Sequence, residues 1–183
     1  AVVGGGILGI EAALRGRDVG MRVTLVELMP SLMPAQFGGR ASRILQQRLV
    51  AKGIGVLLGR TVRSALCDSD RVVLTLDDGQ TLEADLSILA MGARPDLALP
   101  RMAGLKVMRG VVVDTLLRTS MEGVFAAGDV IQLEGTTRCS VRESLAQGKV
   151  AGLNAVASVQ HTALLAYTAA SSPLTFKSGD FEI

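Results

Sequence analysis

The stretch AVVGGGILGIEAALRG (residues 1–16) decides the fold. Ala1 to Val3 read as the end of a β-strand, and a glycine cluster follows. From Ile7 to about Arg17 the pattern turns helical, with Ile7, Leu8, Ala12, Ala13 and Leu14 available for a buried side. Gly4, Gly6 and Gly9 spell GxGxxG. Between a strand and a helix, each of these glycines has a mechanical job. The first permits the tight turn, the second lets backbone approach a diphosphate, and the third lets helix and strand pack closely. Diphosphate would sit on the helix N-terminus, against free amides such as those of Ile7 and Leu8 and the positive end of the macrodipole.

Working outward, RVTLVE (residues 22–27) is a β run that ends in an acid. Glu27 lies 18 residues beyond Gly9, close to the spacing of the acid that holds an adenine ribose. A carboxylate there repels a ribose phosphate, and ELMP (residues 27–30) brings no arginine to accept one, so NAD is favoured over NADP. Two other readings stay open. One is a tight turn without a ligand, with Glu27 a solvated strand-end acid; the other is a methyltransferase-like domain that binds S-adenosylmethionine.

MPSLMP (residues 29–34) is a Pro-bounded loop. GGRASRILQQRLVAKG (residues 38–53) reads as a helix, with Ala41, Ile44, Leu45 and Leu49 on one face and Gly53 as its stop. IGVLLG (residues 54–59) is the next strand. TVRSALC, RVVLTL and TLEA are short β segments, joined in part by the hairpin turn DDGQ (residues 77–80), and LSILAMG (residues 86–92) returns as an apolar strand of the buried type. The prediction is an α/β fold: a Rossmann-like doubly wound parallel sheet with an antiparallel β-meander excursion, over residues 1–100. A second block, residues 101–160, carries GVVVD, GVFAAGD and a helix from about Ser144 to Ala157; residues 161–183 form a tail in which SSPLTF (residues 171–176) reads as a late strand.

Composition fits this outline. The hydrophobic fraction is 49%, aromatics are 3%, and there are 21 glycines and no Trp, as suits buried strands with glycine-rich turns. Lys and Arg number 19 against 17 Asp and Glu, a balance that gives no footprint for nucleic acid or a membrane surface. Apolar runs fall short of the ~20 residues of a membrane span. Cys67 and Cys139 lie far apart in sequence and read as reduced thiols of a cytoplasmic protein, with Cys139 in packing. No His, Cys and carboxylate cluster has metal spacing, and His161, the only His, reads as structural or surface.

Four segments, in order, carry a resemblance. VVGGGILGIEAA, VTLVELMPSLMP, LSILAMGARPDLAL and TSMEGVFAAGDV, spread over residues 1–160, resemble the pyridine nucleotide-disulfide oxidoreductases, which are FAD-dependent NAD(P)H oxidoreductases. Within that family, GLKVMRGVVVDTLLRTS and LAQGKVAGLNA are most similar to the flavin- and NADH-binding portion of assimilatory nitrite reductases and of rubredoxin or ferredoxin reductases. The resemblance implies that Gly4, Gly6 and Gly9, with Ile7 and Leu8 between them, are the NAD fingerprint. Glu11 matches an acid near the nicotinamide, or is a helix-surface charge. Ala90, Met91 and Gly92 match an Ala-Thr-Gly turn, here with Met for Thr, whose Gly92 approaches the cofactor through its backbone. Gly128 and Asp129 match a Gly-Asp motif whose Asp bonds the FAD ribityl chain or diphosphate; Asp129 as a helix N-cap is the other reading. No side chain is assigned to catalysis. The family's FAD domain has its own glycine fingerprint upstream of the NAD domain, so the resemblance makes residues 1–183 the C-terminal portion of a longer flavoprotein, inactive without the rest of its FAD domain. Its implied activity passes hydride from NADH to FAD and on to an acceptor protein or domain. The alternative is a truncated, non-catalytic nucleotide-binding or interaction module; in either case a homodimer would cover exposed apolar surface.

Overall fold

The computed structural model describes residues 1–137, 139–169, 177–178 and 181–182. The chain divides into two compact units, Ala1–Gly92 with Leu174–Ile183, and Ala93–Pro173.

In the first unit the chain runs β1 (Val2–Val3), α1 (Ile7–Asp18), β2 (Val23–Glu27), α2 (Gly39–Ala51) and β3 (Ile54–Leu58). It then forms β4 (Val62–Cys67), β5 (Val72–Leu76) and β6 (Thr81–Ala84) and returns as β7 (Ile88–Leu89). Four strands make a parallel sheet in the order β3-β2-β1-β7. The chain lays β2 and β3 to one side of β1 and only later places β7 on the other. The carboxyl ends of β1 and β7 therefore flank the point where strand order reverses, which is where open α/β sheets bind ligands. β4, β5 and β6 form the separate antiparallel meander, and Gly79 at φ +83° makes its second turn. The fold class is the one the sequence pattern predicts.

Side-chain burial departs from the pattern at three places. On α1 the buried residues are Gly9, Ile10, Ala13 and Leu14. Ile7 and Ala12 pack only partly, and Leu8 is 73% exposed because it lies across the helix from the buried stripe, on the same side as exposed Arg15. On α2 the buried stripe is Ser42, Leu45 and Leu49, while Ala41 and Ile44 face outward. Ser42 can be buried because its Oγ donates to the Leu32 carbonyl, which satisfies the hydroxyl. LSILAMG is no buried strand: only Ile88 and Leu89 pair, with β1 alone, and both are exposed. The stop at Gly53 is present, with φ +78°. Beside it Arg17 closes two helix ends: its Nε donates to the Lys52 carbonyl and its Nη1 to that of Met21.

The second unit contains α3 (Ala98–Met102), β8 (Val111–Val113), β9 (Ile131–Leu133) and α4 (Val141–Val159). A further pair, β10 (Lys177–Ser178) and β11 (Phe181–Glu182), is antiparallel and belongs with the first unit. α4 starts three residues before the sequence pattern places it. SSPLTF lies outside the described residues. Cys139 does not pack: it and Cys67 are exposed free thiols. His161, also exposed, takes φ +54° just past the end of α4, which is a structural role.

β8 and β9 pair in parallel over a core that includes Val111, Val113, Leu117, Ile131 and Tyr167. Asn154, fully buried on α4, ties this core together. Its Nδ2 donates to the Leu116 and Leu165 carbonyls and its Oδ1 accepts from the Leu165 amide, at 2.7–2.8 Å. Leu117 is buried at φ +62°, a conformation that costs a non-glycine residue roughly 1–2 kcal/mol. Asp114 holds it there. Its Oδ1 accepts the amides of Leu116 and Arg118, and its Oδ2 accepts Nε and Nη2 of Arg118 at 2.7 Å.

Burial pushes the Asp114 carboxyl up, but the Arg118 and Leu116 amides and the Arg118 guanidinium outweigh it and hold the group below its ordinary value. A depressed folded value means that the turn's contribution is complete above the ordinary Asp range and is lost as pH falls through the folded value. Thermal melts taken from neutral to acid pH are expected to fall more steeply for the wild type than for Asp114→Asn, which lacks this titration. Parallel curves would remove Asp114 from the account.

Candidate functional site

The carboxyl ends of β1, β2 and β7 meet at the glycine turn. Gly4 sits at φ +114°, and its amide donates to the Val26 carbonyl at 2.8 Å. A Cβ on Gly4 would lie 2.2 Å from the Ala90 carbonyl oxygen, and one on Gly9 would lie 1.8 Å from that of Gly4. Both positions are glycine because backbone passes against backbone. Gly6 is different. It is the N-cap of α1 at φ −82°, and an added Cβ would meet nothing within 4 Å. Folding alone does not demand glycine there. The space beside Gly6 is open at the helix N-terminus, which is the room a diphosphate needs and a Cβ would fill.

The first turn of α1 carries no acidic residue. Its amides, those of Ile7, Leu8 and Gly9 among them, have no carbonyl within the helix to bond, while the Ile10 amide already donates to Gly6. Glu11 is half-buried one step further and makes no hydrogen bond or ion pair among the described residues.

Glu27 ends β2 with its carboxylate turned back onto the turn. Oε2 accepts the Gly5 amide at 2.5 Å and Oε1 the Met29 amide at 2.7 Å. The structure therefore brings Gly4, Gly6, Gly9 and Glu27 together around one opening. Ala90 lies across Gly4, so the following residues join the same rim: Met91 is 69% exposed, and Gly92, at φ +88°, would place a Cβ in open space.

Gly128 and Asp129 lie in the second unit, on a 3-10 turn leading into β9. Gly128 adopts φ +83°, and its amide donates to Oε1 of Gln147 at 2.8 Å. Asp129 is exposed, and its Oδ1 accepts from Ser144 Oγ at 2.8 Å. Ser140, not Asp129, occupies the N-cap position of α4, so the N-cap reading fails. Instead Ser144 and Gln147 on the early turns of α4 clamp the Gly-Asp pair from one side, and the other Asp129 oxygen has no hydrogen bond among the described residues.

Sequence reasoning missed Gly5, Ser144 and Gln147. The unbroken run Gly4, Gly5, Gly6 is the signal for Gly5, since GxGxxG leaves that middle position free. Ser144 and Gln147 stand three apart on a helix, a spacing that puts both on one face. A cavity of about 490 Å³, lined in part by Ala1, Val23, Asp85 and Leu86, opens at the amino ends of β1 and β2. It lies away from these residues and is not part of the site.

Comparison with known proteins gives one family. Residues 1–155 match the pyridine nucleotide-disulphide oxidoreductases. The chain is 35% identical over 150 residues to a nitrite reductase [NAD(P)H] of Bacillus subtilis (strain 168), covering 82% of this chain and 19% of that protein. It is 37% identical to a nitric oxide reductase FlRd-NAD(+) reductase of Shigella boydii serotype 18, covering 73% and 36%. A solved FAD-dependent pyridine nucleotide-disulphide oxidoreductase from Desulfovibrio vulgaris superposes with a TM-score of 0.75 at 33% identity, covering 85% of this chain and 41% of that one. The chain thus spans between 19% and 41% of the length of these relatives.

The two glycine environments predict opposite outcomes on substitution. Gly6→Ala should leave the melting temperature within about 2 °C of wild type, since φ and space both admit a Cβ. Gly9→Ala should cost about 2 kcal/mol or more, because backbone must move. Thermal melts of the two variants check this, and equal losses would contradict the geometry.

Proposed function

The chain belongs to the pyridine nucleotide-disulphide oxidoreductase family, and from that premise we propose that it is the NADH-binding part of an FAD-dependent oxidoreductase. The observation that carries this reading is the open N-terminus of α1 beside Gly6, with the Glu27 carboxylate at its edge. The turn from Gly4 to Gly9, with the amides of Ile7 and Leu8, holds the diphosphate. Glu27 accepts the adenine ribose hydroxyls and disfavours a phosphate on them. Glu11 and Gly92 serve the nicotinamide end, and the open space at Gly92 supports a backbone approach there.

FAD is held in part by Gly128 and Asp129. The clamp formed by Ser144 and Gln147 supports that role, since it fixes the pair and leaves carboxylate acceptor sites over. Most of the relatives' length lies outside the stretch shared with this chain, and the FAD site is completed by protein beyond residues 1–183. The cofactors supply the chemistry, a hydride passed from NADH to FAD and electrons sent on to an acceptor. This chain's residues hold and orient them, and no protein acid or base is assigned. The acceptor is a protein or domain, as the name of the Shigella relative suggests by analogy. The helices described include none long and apolar enough to cross a membrane.

Calorimetry of the chain with NADH is expected to show binding, and with NADPH weaker binding. Gly6→Val should abolish the NADH heat while the fold persists, because its Cβ fills the open space and φ −82° suits valine. Retained affinity would put the ligand elsewhere. Glu27→Ala should narrow the preference for NADH over NADPH, and an unchanged ratio would mean that Glu27 does not read the ribose. A non-catalytic module would bind the same nucleotides yet pass no electrons when the complementary flavin-binding part is added.

A further inference from the structure

We propose that Gly5 and Glu27 form a positioning latch that makes the ribose-reading carboxylate and the diphosphate turn one preset unit, an inference that rests on the dinucleotide reading above. Gly5 is the position that GxGxxG leaves free, yet both of its backbone groups are engaged. Its amide donates to Oε2 of Glu27 at 2.5 Å, and its carbonyl accepts the Met33 amide at 3.3 Å. The loop after β2 is thereby folded onto the turn through a single residue. Leu32, fully buried in that loop, lies against the same point. Its carbonyl accepts Ser42 Oγ, so α2 is fixed to the assembly as well.

Two details argue that the carboxylate is itself a structural member. Glu27 accepts two backbone amides, from Gly5 and Met29, one on each oxygen. An ionised carboxylate offers about four lone-pair sites, so two remain for two ribose hydroxyls. Reading the ribose and bracing the turn are therefore compatible in one group. The approach also needs glycine at residue 5: a Cβ there would lie 2.7 Å from Leu32 Cδ2 and 2.9 Å from Glu27 Oε2. A side chain there must displace the tip of Leu32, the Glu27 carboxylate, or both.

The latch separates from a plain ribose contact by using a ligand without the hydroxyls. Calorimetry compares ADP with 2′,3′-dideoxyadenosine diphosphate on wild type, Glu27→Gln and Gly5→Ala. A glutamine has one acceptor oxygen facing two N–H donors, so one backbone amide loses its partner. The latch predicts that Glu27→Gln binds the dideoxy ligand about tenfold more weakly than wild type does, and that Gly5→Ala weakens both ligands by a similar factor. If Glu27 acts only on the hydroxyls, Glu27→Gln leaves the dideoxy affinity unchanged or raises it, because a like charge near the phosphates has gone; that result overturns the latch.

Amide hydrogen exchange on the ligand-free chain gives a readout that needs no nucleotide. The Gly5 and Met29 amides should both be protected in the wild type, and one of the two should lose protection selectively in Glu27→Gln. Protection that is unchanged in the variant, or missing from the wild type, overturns the latch even if the nucleotide arms are silent. A wild type that binds neither ADP nor the dideoxy ligand removes the dinucleotide reading instead, and exchange still decides whether the carboxylate braces the turn.

Discussion

Backbone crossing backbone without a side chain between them is the constraint on which the rest of the site depends. The carbonyl of Gly4 lies where a Cβ on Gly9 would be, and the carbonyl of Ala90 lies where a Cβ on Gly4 would be. These two contacts bring the start of α1 down onto β1 and draw the exit of β7 across it. Only then do the amides of the first turn, the strand-end acid of β2 and the Ala90–Gly92 segment share one rim. A methyl group at either glycine would separate those parts, and the chemistry at Gly6 would have no walls.

Much of this was legible from residue spacing, because spacing encodes what a turn requires. Gly4, Gly6 and Gly9 reported strand, turn and helix, and the acid at Glu27 reported the end of the next strand. The order of elements followed from alternating periodicity and from Asp-Gly at residues 78 and 79. Periodicity is weaker on which side of an element is covered. Leu8 reads as core and is exposed, because it stands across the helix from the buried stripe of Ile10, Ala13 and Leu14. Ile44 gives way to Ser42 because a hydroxyl that finds a carbonyl can be buried as readily as an alkyl group. On α4 polar residues take the covered side: Gln147 and Asn154 are buried while Val141 and Leu145 are exposed. Their amide groups hold the Gly128 turn, the Leu116 turn and the segment near Leu165, and contacts between residues so distant in sequence leave no trace in local composition.

The two candidate sites are built by different means. The glycine turn is made almost wholly of main chain, with one carboxylate to brace it. Its amides sit where the fold puts them, and they are poised for anionic charge without a cationic side chain. At Gly128 and Asp129 the bracing comes from side chains on a neighbouring helix, Ser144 and Gln147. A main-chain site tolerates drift in most side chains but not in its glycines. A side-chain clamp tolerates backbone change and fails when one polar group is lost.

Glu27 lies where these considerations converge. If the carboxylate only touched a ribose, cofactor preference could be exchanged by altering that one residue and adding a cation beside it. Here it also accepts the Gly5 and Met29 amides, so removing it leaves two backbone donors at the mouth of the site to be satisfied by something else. A replacement suited to a phosphorylated ribose must bring an acceptor as well as a positive charge, or the turn proposed to hold the diphosphate loosens with the change. On the proposed dinucleotide reading, preference for one nucleotide and affinity for any nucleotide are coupled through a single side chain, and a substitution that shifts the first without lowering the second has to come from outside residue 27.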